Sequence, residues 1–213
     1  MSRTSTSTVA PAAATAAQTI FRVSLGSVLI AHGTQKLFGW FGGGGIEGTS
    51  QGMHAMGFRP AKPSAVLAGV GEAGAGLALA LGLGTPAAGA AAATTMGVAA
   101  SVHAPNGFFA TDGGLEYPAV LGLAAASFTI GGPGSFSLDS LTGHVLDRPW
   151  MRAVALAVIP TAIAVQVSRR RKALAHDKSG RDEPGHGESG HSAGGSPDTA
   201  SAADADAMGE ATA

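Results

Sequence analysis

The sequence contains no cysteine and few charges, and each absence narrows what the protein can do. Without cysteine the chain cannot form a disulfide, a thiolate zinc site, an iron–sulfur cluster or a catalytic thiol. Charged residues make up 13% of the 213 residues, whereas soluble domains contain about 25%. The formal net charge is −1 and the apolar part has no basic face, so we expect no binding to nucleic acid.

The few charges are also distributed unevenly along the chain. The first 168 residues contain 7 Lys/Arg and 6 Asp/Glu, whereas the last 45 contain 6 and 8. Between Ala73 and Thr111, 39 consecutive residues lack all four types. A surface with so few charges suits lipid better than water. We therefore predict an all-α, polytopic bundle of membrane helices.

Apolar stretches of about 20 residues are long enough to cross a bilayer. Such stretches, and the glycine and proline turns between them, predict a four-helix core within residues 18–141, with helices over 18–40, 64–83, 86–103 and 116–130. An additional transmembrane helix is predicted over 150–168, and a segment lying on the membrane surface is the alternative. Residues 1–17 and 169–213 lack an apolar period, so we predict a disordered lead and, after the basic run Arg169–Lys172, a disordered tail.

The orientation follows from the rule that Lys and Arg are enriched on the cytoplasmic side. With five spans, one side receives seven such residues: Lys36, Arg59, Lys62 and Arg169–Lys172. The other side receives four, namely Arg3, Arg22, Arg148 and Arg152. This count predicts an outer N-terminus and a cytoplasmic tail, provided that the fifth helix spans.

Ionisable side chains occur within the first two predicted helices. Arg22, His32 and Lys36 fall on one face of the first helix at about 100° per residue, and Glu72 lies inside the second. An acidic group at mid-helix costs about 2.5–3.5 kcal/mol on insertion scales, which implies a protonated carboxyl or a basic partner. Lys36, His32 and Arg22 are the available partners. The alternatives are that Arg22 and Lys36 extend to opposite interfaces and that Glu72 makes a structural hydrogen bond between helices.

These residues also form a recognisable pattern. Arg22-(x)3-Gly26 followed by His32-Gly33-(x)2-Lys36-Leu37-Phe-Gly-Trp40 resembles the first helix of the DoxX family of small bacterial membrane proteins. Further similar pieces follow in the same order up to Leu141: Gly71-Glu72, Gly76-Leu77, Leu81–Thr85, Asn106–Phe109, Gly113–Tyr117, Gly132–Gly134 and Ser137–Asp139. The resemblance implies a four-helix core in a bacterial plasma membrane and a link to the thiosulfate:quinone oxidoreductase subunits after which the family is named.

Carried over position by position, the resemblance assigns motif roles to Arg22, His32, Gly33, Lys36, Glu72, Glu116, Tyr117 and Asp139. From the residues and the resemblance together, we expect Glu72, His32 and Lys36 to form a catalytic site that handles protons or a quinone headgroup. Substrate binding is expected at Arg22, Glu116, Tyr117 and Asp139. No bound cofactor or metal is predicted, so electrons would come through a diffusible quinone or a soluble redox partner.

Two other functions fit the same sequence. The first is a scaffold in the bilayer that docks soluble redox or stress-response enzymes through its loops and tail, with Glu72 as a structural residue. The second is a small transporter, which the absence of an internal repeat and of a pair of broken helices disfavours.

Overall fold

A computed structural model describes residues 11–182 of the chain. This part of the chain consists of helices and their connections and contains no strand, which confirms the predicted all-α fold. The α-helices are α1 (Pro11–Phe38), α2 (Gly45–Ala55), α3 (Ala61–Leu81), α4 (Thr85–His103), α5 (Glu116–Gly131), α6 (Leu138–Leu141) and α7 (Pro149–Asp182). Short 3-10 turns lie at Trp40–Gly42, Ala104–Asn106 and Ala110–Asp112.

Four of the long helices, α1, α3, α4 and α5, enclose a common core. Its buried residues are Leu25, Leu29, Ala75, Leu79, Ala88, Ala92, Ala93, Met96, Ala125 and Phe128. Half of these residues are alanines, so the helix axes approach closely. The helix α7 packs on α4 from outside this core and touches α5 more sparingly.

The long helices alternate in direction, which gives the bundle two distinct ends. Gly26 lies against Gly76 and Ala80 of α3, whereas the later residue Gly33 lies against Gly69 and Ala73, so α1 and α3 are antiparallel. We call one end the Gly82 end; it holds the start of α1, the α3–α4 turn and residues 132–148. The opposite end, called the α2 end, holds α2, the start of α5 and the last turns of α7.

The turn at the Gly82 end explains why α3 stops and α4 begins. Gly82 ends α3 with φ 66° and Gly84 precedes α4 with φ 54°, in the left-handed region that glycine adopts without steric cost. Pro86 then lies in the first turn of α4, where its missing N–H leaves no helical hydrogen bond unmade.

Three helices are long and apolar enough to cross a membrane: α1 over Ala12–Phe38, α3 over Ala61–Leu81 and α7 over Pro149–Ser179. Only 22%, 33% and 6% of their most apolar windows are buried inside the protein. Large apolar side chains therefore face outward on several helices, including Ile20, Leu67, Leu123 and Ile130. A soluble monomer rarely exposes such surfaces, so the protein is a helical membrane protein.

The structure corrects three of the sequence expectations. The stretch between the first two predicted helices contains the helix α2, which glycines bound on both sides. Residues 11–17 belong to α1, so the predicted disordered lead is wrong for them. The helix α7 continues through the basic run to Asp182, because Arg and Lys are good helix formers and mark only the end of its apolar part. Residues 1–10 and 183–213 of the predicted disordered segments lie outside the described residues.

Candidate functional site

The buried carboxylate Glu72 meets a basic partner from the neighbouring helix. Lys36 Nζ of α1 donates a hydrogen bond to Glu72 Oε2 of α3 at 2.5 Å. The Glu72 side chain is 4% exposed, whereas that of Lys36 is 28% exposed. Among the three partners that the sequence offered, the structure therefore selects Lys36.

A second polar pair joins α1 to α5 one helical turn away from Lys36. His32 Nε2 and the Tyr117 hydroxyl share a hydrogen bond of 2.7 Å, whose direction follows the histidine tautomer. The two ring centroids are 5.6 Å apart. The charge of Glu72 acts on both rings, and that of Lys36 acts on His32. We call the four residues Lys36, Glu72, His32 and Tyr117 the Glu72 cluster.

Close packing of α1 on α3 brings the Glu72 cluster together. A side chain at Gly33 would collide with Ala73 and with the carbonyl of Gly69. A side chain at Gly69 would likewise collide with Leu37. Because these glycines let the two backbones approach, Lys36 can reach back along α3 to Glu72, one turn beyond Gly69.

The Glu72 cluster holds four groups that can exchange protons: an ammonium, a carboxyl, an imidazole and a phenol. Their exposure ranges from 46% for Tyr117 to 3% for Glu72. Groups of these types can exchange protons or donate hydrogen bonds to a bound carbonyl.

Two other residues predicted to bind substrate lie at the Gly82 end instead. Arg22 is 2% exposed, and its Nη2 donates to the Phe136 carbonyl at 2.6 Å. Asp139 is fully buried and accepts hydrogen bonds from the backbone N–H groups of Gly84 at 2.8 Å and Thr85 at 2.9 Å. Asp139 therefore caps α4 from a distant part of the chain, and its charge acts on Arg22.

Glu116 is next to Tyr117 in sequence but takes part in a different contact. Its Oε2 accepts a hydrogen bond from the backbone N–H of Ala110 at 3.0 Å, which ties the 110–112 turn to the start of α5. The predicted site residues thus separate into three places, and Tyr117 is the one predicted substrate-binding residue that joins Glu72, His32 and Lys36.

Sequence reasoning missed a buried ion pair at the Gly82 end. Asp147 accepts hydrogen bonds from Nε and Nη2 of Arg152, each at 2.7 Å, and from His144 Nδ1 at 3.3 Å. Burial alone would raise the pKa of the Asp147 carboxyl, but the hydrogen bonds and charges of Arg152 and His144 outweigh it, so the pKa is lowered. The only sequence signal was a lone aspartate five residues before an arginine.

Acidic and histidine side chains do not gather into a metal site in residues 11–182, where no group of three or more is placed to hold an ion. The Glu72 cluster contributes one carboxylate and one imidazole, fewer than a closed protein site uses for zinc. What the described residues offer is hydrogen bonding and proton exchange.

Neither the curated proteins nor the solved structures give a match to the chain. A family model, DoxX, matches residues 17–105. This range includes most of α1 and all of α2, α3 and α4, and with them Lys36, Glu72 and His32. The pieces after residue 105 that resemble the family, Tyr117 among them, lie outside the matched range. Residues 17–105 of this membrane protein are a DoxX-family domain.

Proposed function

We propose that the protein is a subunit of a membrane redox system in which the Glu72 cluster binds the headgroup of a lipid-soluble quinone and exchanges protons with it. The observation that carries the proposal is the buried Lys36–Glu72 pair beside the His32–Tyr117 pair. A carboxylate within a membrane helix is costly to insert, and a role in proton exchange would explain its presence.

The position of Tyr117 supports a substrate that arrives through the bilayer. Tyr117 is exposed on α5, on the side that also exposes the apolar residues Val120 and Leu123. Its hydrogen bond to His32 bridges α1 and α5, two helices that otherwise touch sparingly. A flat, apolar molecule with carbonyl oxygens can therefore approach this bridge from lipid and accept hydrogen bonds there.

Quinone chemistry also matches the groups present. Reduction of a quinone to a quinol consumes two electrons and two protons, and His32 and Tyr117 can each present a proton to a carbonyl oxygen. Lys36 and Glu72 could replace those protons from the α2 end, where Lys36 is partly exposed. A soluble redox protein would supply the electrons in this proposal.

The proposal includes an orientation in the plasma membrane. The α2 end carries Lys36, Arg59, Lys62 and Arg169–Lys172, whereas the Gly82 end carries Arg22, Arg148 and Arg152. By the rule for Lys and Arg, the α2 end and the C-terminal tail face the cytoplasm. A cytoplasmic donor would then act on the same side as Lys36.

Binding of a fluorescent or radiolabelled ubiquinone or menaquinone analogue to the purified chain in detergent tests the site. Saturable binding to the wild type should weaken at least tenfold in Glu72→Gln, Lys36→Ala and Tyr117→Phe. The control Ser127→Ala removes another hydroxyl from the exposed surface of α5, one that bonds only within its own helix, and should bind as the wild type does.

Two results would count against the proposal. Equal binding by all variants would place any quinone elsewhere on the protein. Absence of binding to a folded wild-type protein would favour the scaffold function, in which the Lys36–Glu72 pair is structural.

A further inference from the structure

The last turns of α7 form a second feature, separate from the Glu72 cluster. The apolar part of α7 extends from Trp150 to Val167, which is about 27 Å at 1.5 Å per residue and close to the thickness of the hydrocarbon core, about 30 Å. The run Arg169-Arg-Arg-Lys172 follows at once. The helix therefore carries these four cations to the level of the lipid headgroups.

One face of this extension is fixed to the protein. Arg170 Nε donates to the carbonyl of Met56 at 2.7 Å, and Asp177 Oδ2 accepts a hydrogen bond from Arg59 Nη2 at 2.7 Å. Leu174, between them, covers Gly57, where a side chain would collide with it. The segment that links α2 to α3 thus holds one face of α7, and the side chains of Arg170 and Asp177 are engaged in that contact.

We call the face of α7 that carries Arg170, Leu174 and Asp177 the docked face. The remaining cations of the basic run point away from it. At about 100° per residue, Lys172 lies opposite the docked face, with Arg169 and Arg171 on either side of it. All three are exposed. Within the described residues, none of the three forms an ion pair with a carboxylate.

We propose that Arg169, Arg171 and Lys172 form a binding surface for the phosphate-containing headgroups of anionic lipids. Arginine binds phosphate through paired, charge-assisted hydrogen bonds, and clustered basic residues beside a membrane helix attract anionic lipid. Charge complementarity and the level of the surface in the bilayer both favour lipid over a soluble acidic protein, because headgroups are present there at high local concentration.

The experiment uses the full chain in a neutral detergent, with a fluorescent phosphatidylglycerol as the probe and a fluorescent phosphatidylcholine as the neutral comparison. The wild type should bind phosphatidylglycerol at least tenfold more tightly than phosphatidylcholine, and salt should reduce the difference. The triple variant Arg169→Gln/Arg171→Gln/Lys172→Gln should lose most of this preference, through a loss of at least about tenfold in affinity for phosphatidylglycerol.

Two further variants separate this surface from general charge and from misfolding. Arg148→Gln/Lys178→Gln removes two exposed cations elsewhere and should bind as the wild type does. Arg169→Lys/Arg171→Lys keeps the charges and should retain most of the binding. Neither outcome depends on quinone binding, so this proposal can fail while the proposed function stands.

Equal binding of the two lipids by the wild type would overturn the proposal. So would unchanged phosphatidylglycerol binding by the folded triple variant. If that variant instead lost only the binding of a soluble polyglutamate probe, the surface would be assigned to an acidic protein partner.

Discussion

At the scale of single residues, the most consequential contact joins Lys36 to Glu72. The carboxylate is almost fully buried, whereas the ammonium keeps partial access to the surface. Removal of Lys36 should therefore lower stability more than removal of Glu72, because a charge left buried costs more than a charge left half-exposed. In the proposed function, the same asymmetry would suit a proton path, because Lys36 is partly exposed and Glu72 is buried.

Lys36→Met should lower the midpoint of thermal unfolding in detergent more than Glu72→Gln does. The methionine variant leaves a buried carboxylate without a partner, whereas the glutamine variant leaves a lysine that can turn outward. The double variant should recover part of the loss, with a coupling free energy of about 1–3 kcal/mol. Additive effects of the two single changes would show that the pair contributes no interaction of its own.

Asp147 gives a prediction for the pH dependence of stability. Its pKa is lowered in the folded protein, so its contribution is complete above its ordinary pKa of about 4 and is lost as the pH falls through the lower, folded value. The difference in unfolding midpoint between the wild type and Asp147→Asn should be constant from pH 5 to 7 and shrink below pH 4. A difference that grows on acidification would contradict this assignment.

At the scale of helices, two devices hold the bundle together: the close approach of α1 to α3 and the distant cap on α4. The first depends on glycines where the backbones meet, at Gly26, Gly33, Gly69 and Gly76. The second depends on Asp139, which belongs to the short helix α6 and reaches the first N–H groups of α4. Both join segments that are far apart in sequence, so both report on tertiary folding.

A matched pair of glycine substitutions tests the α1–α3 contact. Gly33→Ala should destabilise the protein by about 1–3 kcal/mol, because the added methyl group overpacks the contact with Ala73 and Gly69. Gly74→Ala, on an exposed part of α3 with open space around it, should be neutral or stabilising by up to about 1 kcal/mol. The comparison is the shift in thermal unfolding midpoint, and equal shifts would refute the close-contact interpretation.

The cap on α4 is tested by Asp139→Ala. The change leaves two backbone N–H groups unsatisfied, that of buried Thr85 among them, and removes the negative charge near Arg22. We expect a loss of at least about 1–3 kcal/mol and faster hydrogen exchange in the first turn of α4. Asp112→Ala changes an exposed aspartate in the 110–112 turn and should leave both quantities nearly unchanged.

At the scale of the whole molecule, the chain is a four-helix core, of which residues 17–105 match the DoxX family model, with α7 added to its surface. The core buries a small apolar centre and exposes apolar side chains around its circumference. The helix α7 packs on α4 and extends beyond the core, where it contacts the segment that follows α2. That extension makes the α2 end a larger structure than the sequence indicated.

Two truncations separate the docked extension from the residues beyond it. A chain ending at Ser168 should exchange the amide hydrogens of residues 53–60 faster than the full chain, since it lacks Arg170, Leu174 and Asp177. A chain ending at Asp182 retains those contacts and should match the full chain in this segment. The amide hydrogens in the core of α1 and α3 should be protected equally in the full chain and in both truncations. Unchanged exchange at residues 53–60 in the chain ending at Ser168 would show that the docking contacts do not hold the segment.

The sequence by itself determined the class of the protein and the approximate bounds of its long helices. Low charge and long apolar stretches leave few folds besides a helical membrane bundle, and the predicted helices 86–103 and 116–130 differ from α4 and α5 by one residue at one end. Periodicity failed for α2, whose three glycines weaken any helical signal. It also failed for the end of α7, which packing rather than hydropathy sets.

The tertiary structure alone decided which polar residues lie together. The cost of inserting Glu72 implied a protonated carboxyl or a basic partner, but the sequence could not choose among Arg22, His32 and Lys36. Arg22 precedes Lys36 by 14 residues, about 21 Å along α1, and the antiparallel packing of α1 on α3 places it beside Gly82 rather than Glu72. Tyr117 joined His32 while its neighbour Glu116 turned to Ala110, because adjacent residues of a helix point in different directions.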